Sequence, residues 1–219
     1  MKICFSRSVQ SATTILLLSM ACGAQNIASK TSLPECSPLV GQILRCPMMG
    51  FAYKVPFGWV DRTKDMQQSD SSAASKSSNT TDEATGKETG RTLLVVFERP
   101  PGTSGESVNS AVIVAVEYRA AYPQVKTAAD YFGPLADIAE QRGFKMDGDP
   151  YSFSIGSRQV VRGDFNGGDQ KTPIRQTSLV LVDESYVLSF TFLASSDDGI
   201  DSLIENLTFT SNQRKTSPK

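Results

Sequence analysis

YSFSIGSRQVVRGDFNGGDQKTPIRQTSLVLVDESYVLSFTFL, residues 151–193, decides the fold. It divides into four extended runs: Tyr151–Ile155, Arg158–Asn166, Ile174–Val182 and Tyr186–Leu193. In the first, Tyr151, Phe153 and Ile155 alternate with Ser152 and Ser154, the two-residue period of a strand with one buried face. In the last, Tyr186, Leu188, Phe190 and Phe192 fall on one side. Asn166-Gly167 and the Asp183–Ser185 cluster carry hairpin signals. The product is an antiparallel meander with apolar surface that other elements must cover.

Working outward, Leu93–Phe97 is a continuous apolar run, the mark of a strand covered on both faces, and Pro100-Pro101-Gly102 ends it. Val112, Val114, Val116 and Tyr118 alternate along the next strand. A helix is expected from Thr127 as N-cap, with Asp130 helping at the third helical position. Ala128, Tyr131, Phe132, Leu135, Ile138, Ala139 and Arg142 recur at helical spacing. Pro134 predicts a kink or a late start, and Gly143 a C′ stop. Ser195 or Ser196 caps a second helix with an acidic first turn and a stripe of Ile200, Leu203, Ile204 and Leu207. Leu207–Thr210 adds a short last strand. Strands buried on both sides plus two amphipathic helices imply an α+β fold, an α/β/α sandwich: a twisted, mainly antiparallel sheet with a helix on each face.

Upstream, residues 1–24 have the form of an export signal, with Lys2 and Arg7 before an apolar run centred on Ile15–Leu18 that is too short to span a bilayer. Cleavage after Ala24 leaves a soluble exported protein. Cleavage before Cys22 leaves a lipoprotein with its lipid on Cys22, although Ser19 stands where the lipoprotein signal carries Leu. Residues 25–50 read as a tether containing a Cys36–Cys46 disulfide loop, the default for a matched pair in an oxidising compartment. Residues 51–210 form a single domain. Within it, 63–91 is rich in Ser and Thr, lacks aromatic and branched aliphatic residues, and reads as a disordered insert. Residues 211–219 are a polar tail.

The 219-residue chain has no histidine and a net charge of −1, which becomes −3 without Lys2 and Arg7. A mildly acidic chain has no electrostatic footprint for nucleic acid. Lacking histidine, it has no Ser-His-Asp, Cys-His or His-metal chemistry. Gly86-Lys87 matches a phosphate loop only in part: Thr81 stands for the first Gly and Glu88 for the Ser or Thr that holds magnesium. Asp164–Asp169 imitates a calcium loop, but its glycine is one place early and Arg175 occupies the position of the bidentate acid, so a hairpin turn is the better reading. Arg162-Gly163-Asp164 spells an adhesion tripeptide within a predicted strand, where it cannot project. No catalytic, cofactor-binding or metal-binding residues are assigned, and no cofactor is expected. Tyr53, Phe57 and the lone Trp59 are candidate binding-surface aromatics, the alternative being a plug over one end of the sheet.

The order of these elements resembles the PsbP-like superfamily: Tyr53-Lys-Val-Pro-Phe-Gly-Trp59, a polar loop, two strands, a helix ending in Gly143-Phe144, the meander, then Tyr186-Val-Leu-Ser-Phe-Thr-Phe192 before a last helix. That group includes the extrinsic photosystem subunit, Ran-binding Mog proteins and DcrB-type lipoproteins. The similarity runs from Phe51 to Phe209, with Phe57 at a position where the pattern has a polar or acidic residue. The resemblance implies an α/β/α sandwich and an accessory, non-catalytic role. It carries over no functional residues, because the metal-binding histidines of some photosystem members have no counterpart here.

The expected function is therefore that of an exported or lipid-anchored cell-envelope binding domain with a protein partner. It would have no enzymatic activity and no nucleic-acid partner, and it would touch a membrane only through a lipid on Cys22. Nothing in the sequence specifies an oligomeric state. An exported enzyme using carboxylate or Ser/Lys chemistry and a small-ligand carrier are the alternatives.

Overall fold

The structure, a computed structural model, describes residues 33–76, 89–102, 108–169 and 171–210. The expected export signal with Cys22, residues 25–32 and the expected polar tail lie outside the described residues.

The meander forms as long antiparallel strands: β6 (Lys145–Ile155), β7 (Arg158–Gly168), β8 (Pro173–Val182) and β9 (Tyr186–Ala194). They continue through β5 (Ala111–Tyr118) and β4 (Gly90–Phe97) to the two-residue β3 (Val60–Asp61). The seven-stranded sheet has the order β3-β4-β5-β9-β8-β7-β6, every pair antiparallel. A three-stranded antiparallel sheet, β1-β2-β10, consists of Ile43–Cys46, Phe51–Lys54 and Leu207–Phe209.

Alternation divides the core in two. Along β8, Leu179 and Leu181 join one cluster while Val180 and Val182 serve the other. The smaller cluster lies under α2 (Phe132–Gln141) and includes Phe132, Ala139, Phe165 and Val187. The larger unites Phe190 and Phe192 with Ile200, Leu203 and Ile204 of α3 (Asp197–Ile204) and with the small sheet. The chain is thus an α+β protein with a helix on each face of the main sheet, and the small sheet shares the α3 layer.

Local chemistry explains the helix ends. Thr127 and Asp130 do exchange capping contacts: the N–H groups of Lys126 and Thr127 donate to Asp130 at 3.0 and 2.8 Å. They close a turn, however, and α2 begins only at Phe132. A helix already formed at Ala128 would need an N–H from Pro134 and would clash with its ring; starting at Phe132 puts Pro134 in the first turn, where N–H groups are unpaired anyway. The helix ends on Gly143 at φ +83, with Phe144 N–H bonding to Ala139 O and Gly143 N–H to Glu140 O, a Schellman closure. In α3, Ser196 caps by accepting from Gly199 N–H at 3.2 Å, ahead of Asp197 and Asp198.

Three expectations are corrected. Residues 63–91 are not a disordered insert throughout: α1 spans Thr63–Lys76 and Gly90 opens β4, while 77–88 lie outside the described residues. The helix docks through polar anchors rather than an apolar stripe. Asp61 accepts from the N–H and hydroxyl of Thr63 at 2.9 and 2.6 Å, that hydroxyl accepts from Val95 N–H at 3.0 Å, and the Gln67 amide donates to Thr92 O at 2.6 Å. These bonds seal the edge of β4 that the short β3 leaves open. Second, residues 33–50 are not a tether. Leu33, Leu44 and Cys46 belong to the core, and Cys46 is paired with Cys36 at a Cα separation of 4.2 Å. Third, Asn166-Gly167 is not the β7–β8 turn. It lies inside β7, and the chain reverses instead around Asp169, whose carboxylate accepts from the N–H groups of Lys171 and Thr172.

Candidate functional site

The three candidate aromatics separate. Tyr53 is fully buried, its hydroxyl donating to Leu203 O at 3.2 Å and its ring 6.2 Å from that of Phe192. It belongs to the core and not to a binding surface. Trp59 is partly buried against the larger cluster. Phe57 alone faces solvent, 93% exposed in the Pro56–Gly58 turn that carries the chain from the small sheet to the large one. Phe51, Tyr53 and Val55 alternate into the core, a signal that could have separated Tyr53 from Phe57, which the turn frees.

A groove of about 580 Å³ lies on the α2 face of the main sheet. Val161 and Val182 from adjacent strands lie half-buried at its floor, over the buried Val180. Ser152 and Gln159 border it on one side, and the Lys126–Ala128 turn stands over the other. Arg119 builds this second wall. Its guanidinium donates to the carbonyls of Val125, Lys126 and Asp183 at 3.3, 3.3 and 3.4 Å, tying the loop before α2 to the β8–β9 turn. With Arg119 so engaged, the rim presents Lys126 and Arg158 as cations and Asp183 and Glu184 as anions. A floor of valines with charges of both signs at its lip suits an amphipathic segment and leaves the polar contacts to set orientation.

Two partly buried polar clusters flank this face and the other. Tyr131 donates to Glu117, and the rings of Tyr131 and Tyr122 meet edge to face at 5.2 Å. Burial first, then the Glu117 charge, pushes the Tyr122 phenol up to about 12 and the Tyr131 phenol higher still. On the α3 face, Asp164 accepts from Arg162 Nε at 2.9 Å, Thr177 hydroxyl at 2.5 Å and Tyr151 hydroxyl at 3.0 Å. Arg162 also reaches Asp201 at 3.1 Å and lies over the Phe153 ring at 5.2 Å. The adhesion-like tripeptide and the calcium-like loop therefore share an Asp164 held inside the sheet layer by three donors. No group of carboxylates and cysteines among the described residues is arranged to hold a metal ion, and no helix there is long and apolar enough to cross a membrane.

The groove residues come from three separate parts of the chain, and no local motif announces them. Strands read as buried on both sides implied a second apolar face, but not that α2 leaves one end of it uncovered.

No family model matches the chain, and no curated protein matches it. Among solved structures, a Pseudomonas aeruginosa protein of unknown function is similar at 14% identity, covering 56% of this chain and 78% of that one with a TM-score of 0.34. LpqN, described as involved in cell envelope biogenesis of Mycobacterium tuberculosis, is similar at 12% identity, covering 73% of this chain and 83% of its own with a TM-score of 0.34. Likenesses this slight carry no inference about role.

Proposed function

We propose that this chain is an exported, non-catalytic binding domain of the cell envelope that seats a segment of a protein partner in the groove between the Lys126–Ala128 turn and the ends of the β6–β7 and β8–β9 hairpins. The observation that carries the reading is the groove itself: an apolar floor of Val161 and Val182 over the buried Val180, with Lys126, Arg158, Asp183 and Glu184 at its lip. Export is supported by the basic and apolar N-terminal pattern and by the Cys36–Cys46 pair. A chain without histidine lacks the usual proton-transfer side chain, which favours docking over turnover. The PsbP-like resemblance of the element order agrees with an accessory role, as a fold-level analogy.

The test is site-specific photo-crosslinking in the producing cell. A photoreactive residue at Lys126 or Gln159 should trap one discrete partner, and the same residue at Ile138, on the exposed side of α2, should not. Equal trapping at both places, or none at either, overturns the assignment of the groove. A purified small molecule retained there, with no protein adduct, replaces it by the carrier reading.

A further inference from the structure

We propose that two copies of this chain associate through the outer edge of β6, adding strand to strand about Phe153. Edges of sheets are normally closed, because their unpaired N–H and C=O groups invite pairing. Among the described residues, three of the four sheet edges are closed or short. β3 has two residues and α1 continues its cover of β4. The outer side of β1 is met by Ser37 N–H, 2.8 Å from Arg45 O, and β10 has three residues. β6 is the long edge, eleven residues at the end of the sheet order.

Its two halves differ. The first, Lys145–Pro150, holds every usual protection: charges at Lys145, Asp147 and Asp149, Pro150, and a break in register between Asp147 and Tyr151. The second, Tyr151–Ile155, is regular, uncharged and free of proline, and among the described residues its backbone bonds to nothing but β7. Tyr151, Ser152 and Ser154 are exposed.

The hairpin identifies which groups point outward. Gly156 at φ +58 and Ser157 make a two-residue turn closed by the Ile155–Arg158 pair. Such a closing pair is hydrogen-bonded, so Ile155, Phe153 and Tyr151 turn their backbone groups to β7, and Ser152 and Ser154 turn theirs to solvent.

That arrangement is self-complementary. The run Tyr-Ser-Phe-Ser-Ile is apolar and polar by turns in either direction. Laid antiparallel on itself about Phe153, it places Ser152 against Ser154 of the second copy and Tyr151 against its Ile155. Both Ser152–Ser154 pairs then exchange N–H···O=C bonds, and the two Phe153 rings meet at the non-hydrogen-bonded centre, where side chains come closest. The register break and Pro150 just before Tyr151 limit the pairing to Tyr151–Ile155. A second copy fits this edge better than an arbitrary peptide, because apolar and hydroxyl positions all find their like.

Sedimentation equilibrium of the purified protein at about 100 µM, a range suited to so small an interface, should give twice the chain mass. Ser154→Pro removes an outward N–H that β7 does not use, and should give the monomer mass with an unchanged circular dichroism spectrum. Ser154→Ala keeps the N–H and should stay dimeric. If Ser154→Pro does not fold, Ser152→Pro tests the other outward N–H. A monomeric wild type, a proline variant that remains dimeric, or an alanine variant that dissociates like the proline one each overturns pairing through this backbone edge.

Discussion

Gly163 of β7 lies under the ring of Phe132, the first residue of α2: a Cβ at Gly163 would come within 2.3 Å of Phe132 Cε1. Four residues on, Gly167 stands in the same relation to Phe144, just past the end of α2, at 2.6 Å. The two aromatics that bracket the helix therefore sit on bare backbone, and the spacing of two glycines on one face of β7 fixes where the helix rests. Neither glycine has a positive φ, so the requirement is steric.

Gly163→Ala should cost about 1–3 kcal/mol, the range for overpacking a filled core, because the Phe132 ring is buried and cannot swing away. Urea unfolding followed by circular dichroism measures it. The double variant Gly163→Ala with Phe132→Leu should lose less than the sum of the two single changes; strict additivity would show that the contact is not what Gly163 serves.

Asp164 holds Arg162, a side chain only 11% exposed, so Asp164→Ala should destabilise by about 2–3 kcal/mol, below the full cost of orphaning a buried charge because Asp201 still partners Arg162. Replacing both charges, Arg162→Met with Asp164→Leu, should cost less than Asp164→Ala alone. Equal or greater loss in the double variant would show that the pair itself is net stabilising.

The phenols of Tyr53, Tyr122 and Tyr131 are all raised above their ordinary value of 10.0, in each case first by burial. A phenol kept neutral in the folded state contributes stability that is complete below the unfolded pKa and is lost as pH rises through the folded one. Tyr122, at about 12, sets the window. Stability should be level to pH 10 and should fall steadily from there towards pH 12. Absorbance at 295 nm should show a fraction of the six tyrosines ionising only with loss of the far-ultraviolet dichroism. Full ionisation before any unfolding contradicts the burial.

Tyr53 and Phe57 differ by four positions and should differ entirely in consequence. Tyr53→Phe removes the hydroxyl that donates to Leu203 O and should lower stability by about 1 kcal/mol. Phe57→Ser, at a 93% exposed position, should change stability by less than about 0.5 kcal/mol. Thermal melts of the two variants decide it; a large loss at Phe57 would mean that the turn packs on something.

Periodicity in residues 151–193 determined the meander, because a strand with one buried face writes its geometry into every second residue. The Gly143 stop and a cap at Ser195 or Ser196, which the structure resolves to Ser196, were readable for the same reason: each satisfies backbone groups within a few residues of itself. Tertiary structure alone decided α1, which has no apolar stripe to announce it and is held by bonds to the edge of β4 from residues about thirty positions away. It likewise decided that Leu44, Tyr53 and Leu207 share a second sheet, and that valines from β7 and β8 meet the Lys126–Ala128 turn around a groove. Local hydrogen bonding and alternation are short-range and leave a mark in the sequence. The closing of an edge or the floor of a groove depends on which distant elements arrive there, and only the folded chain brings them together.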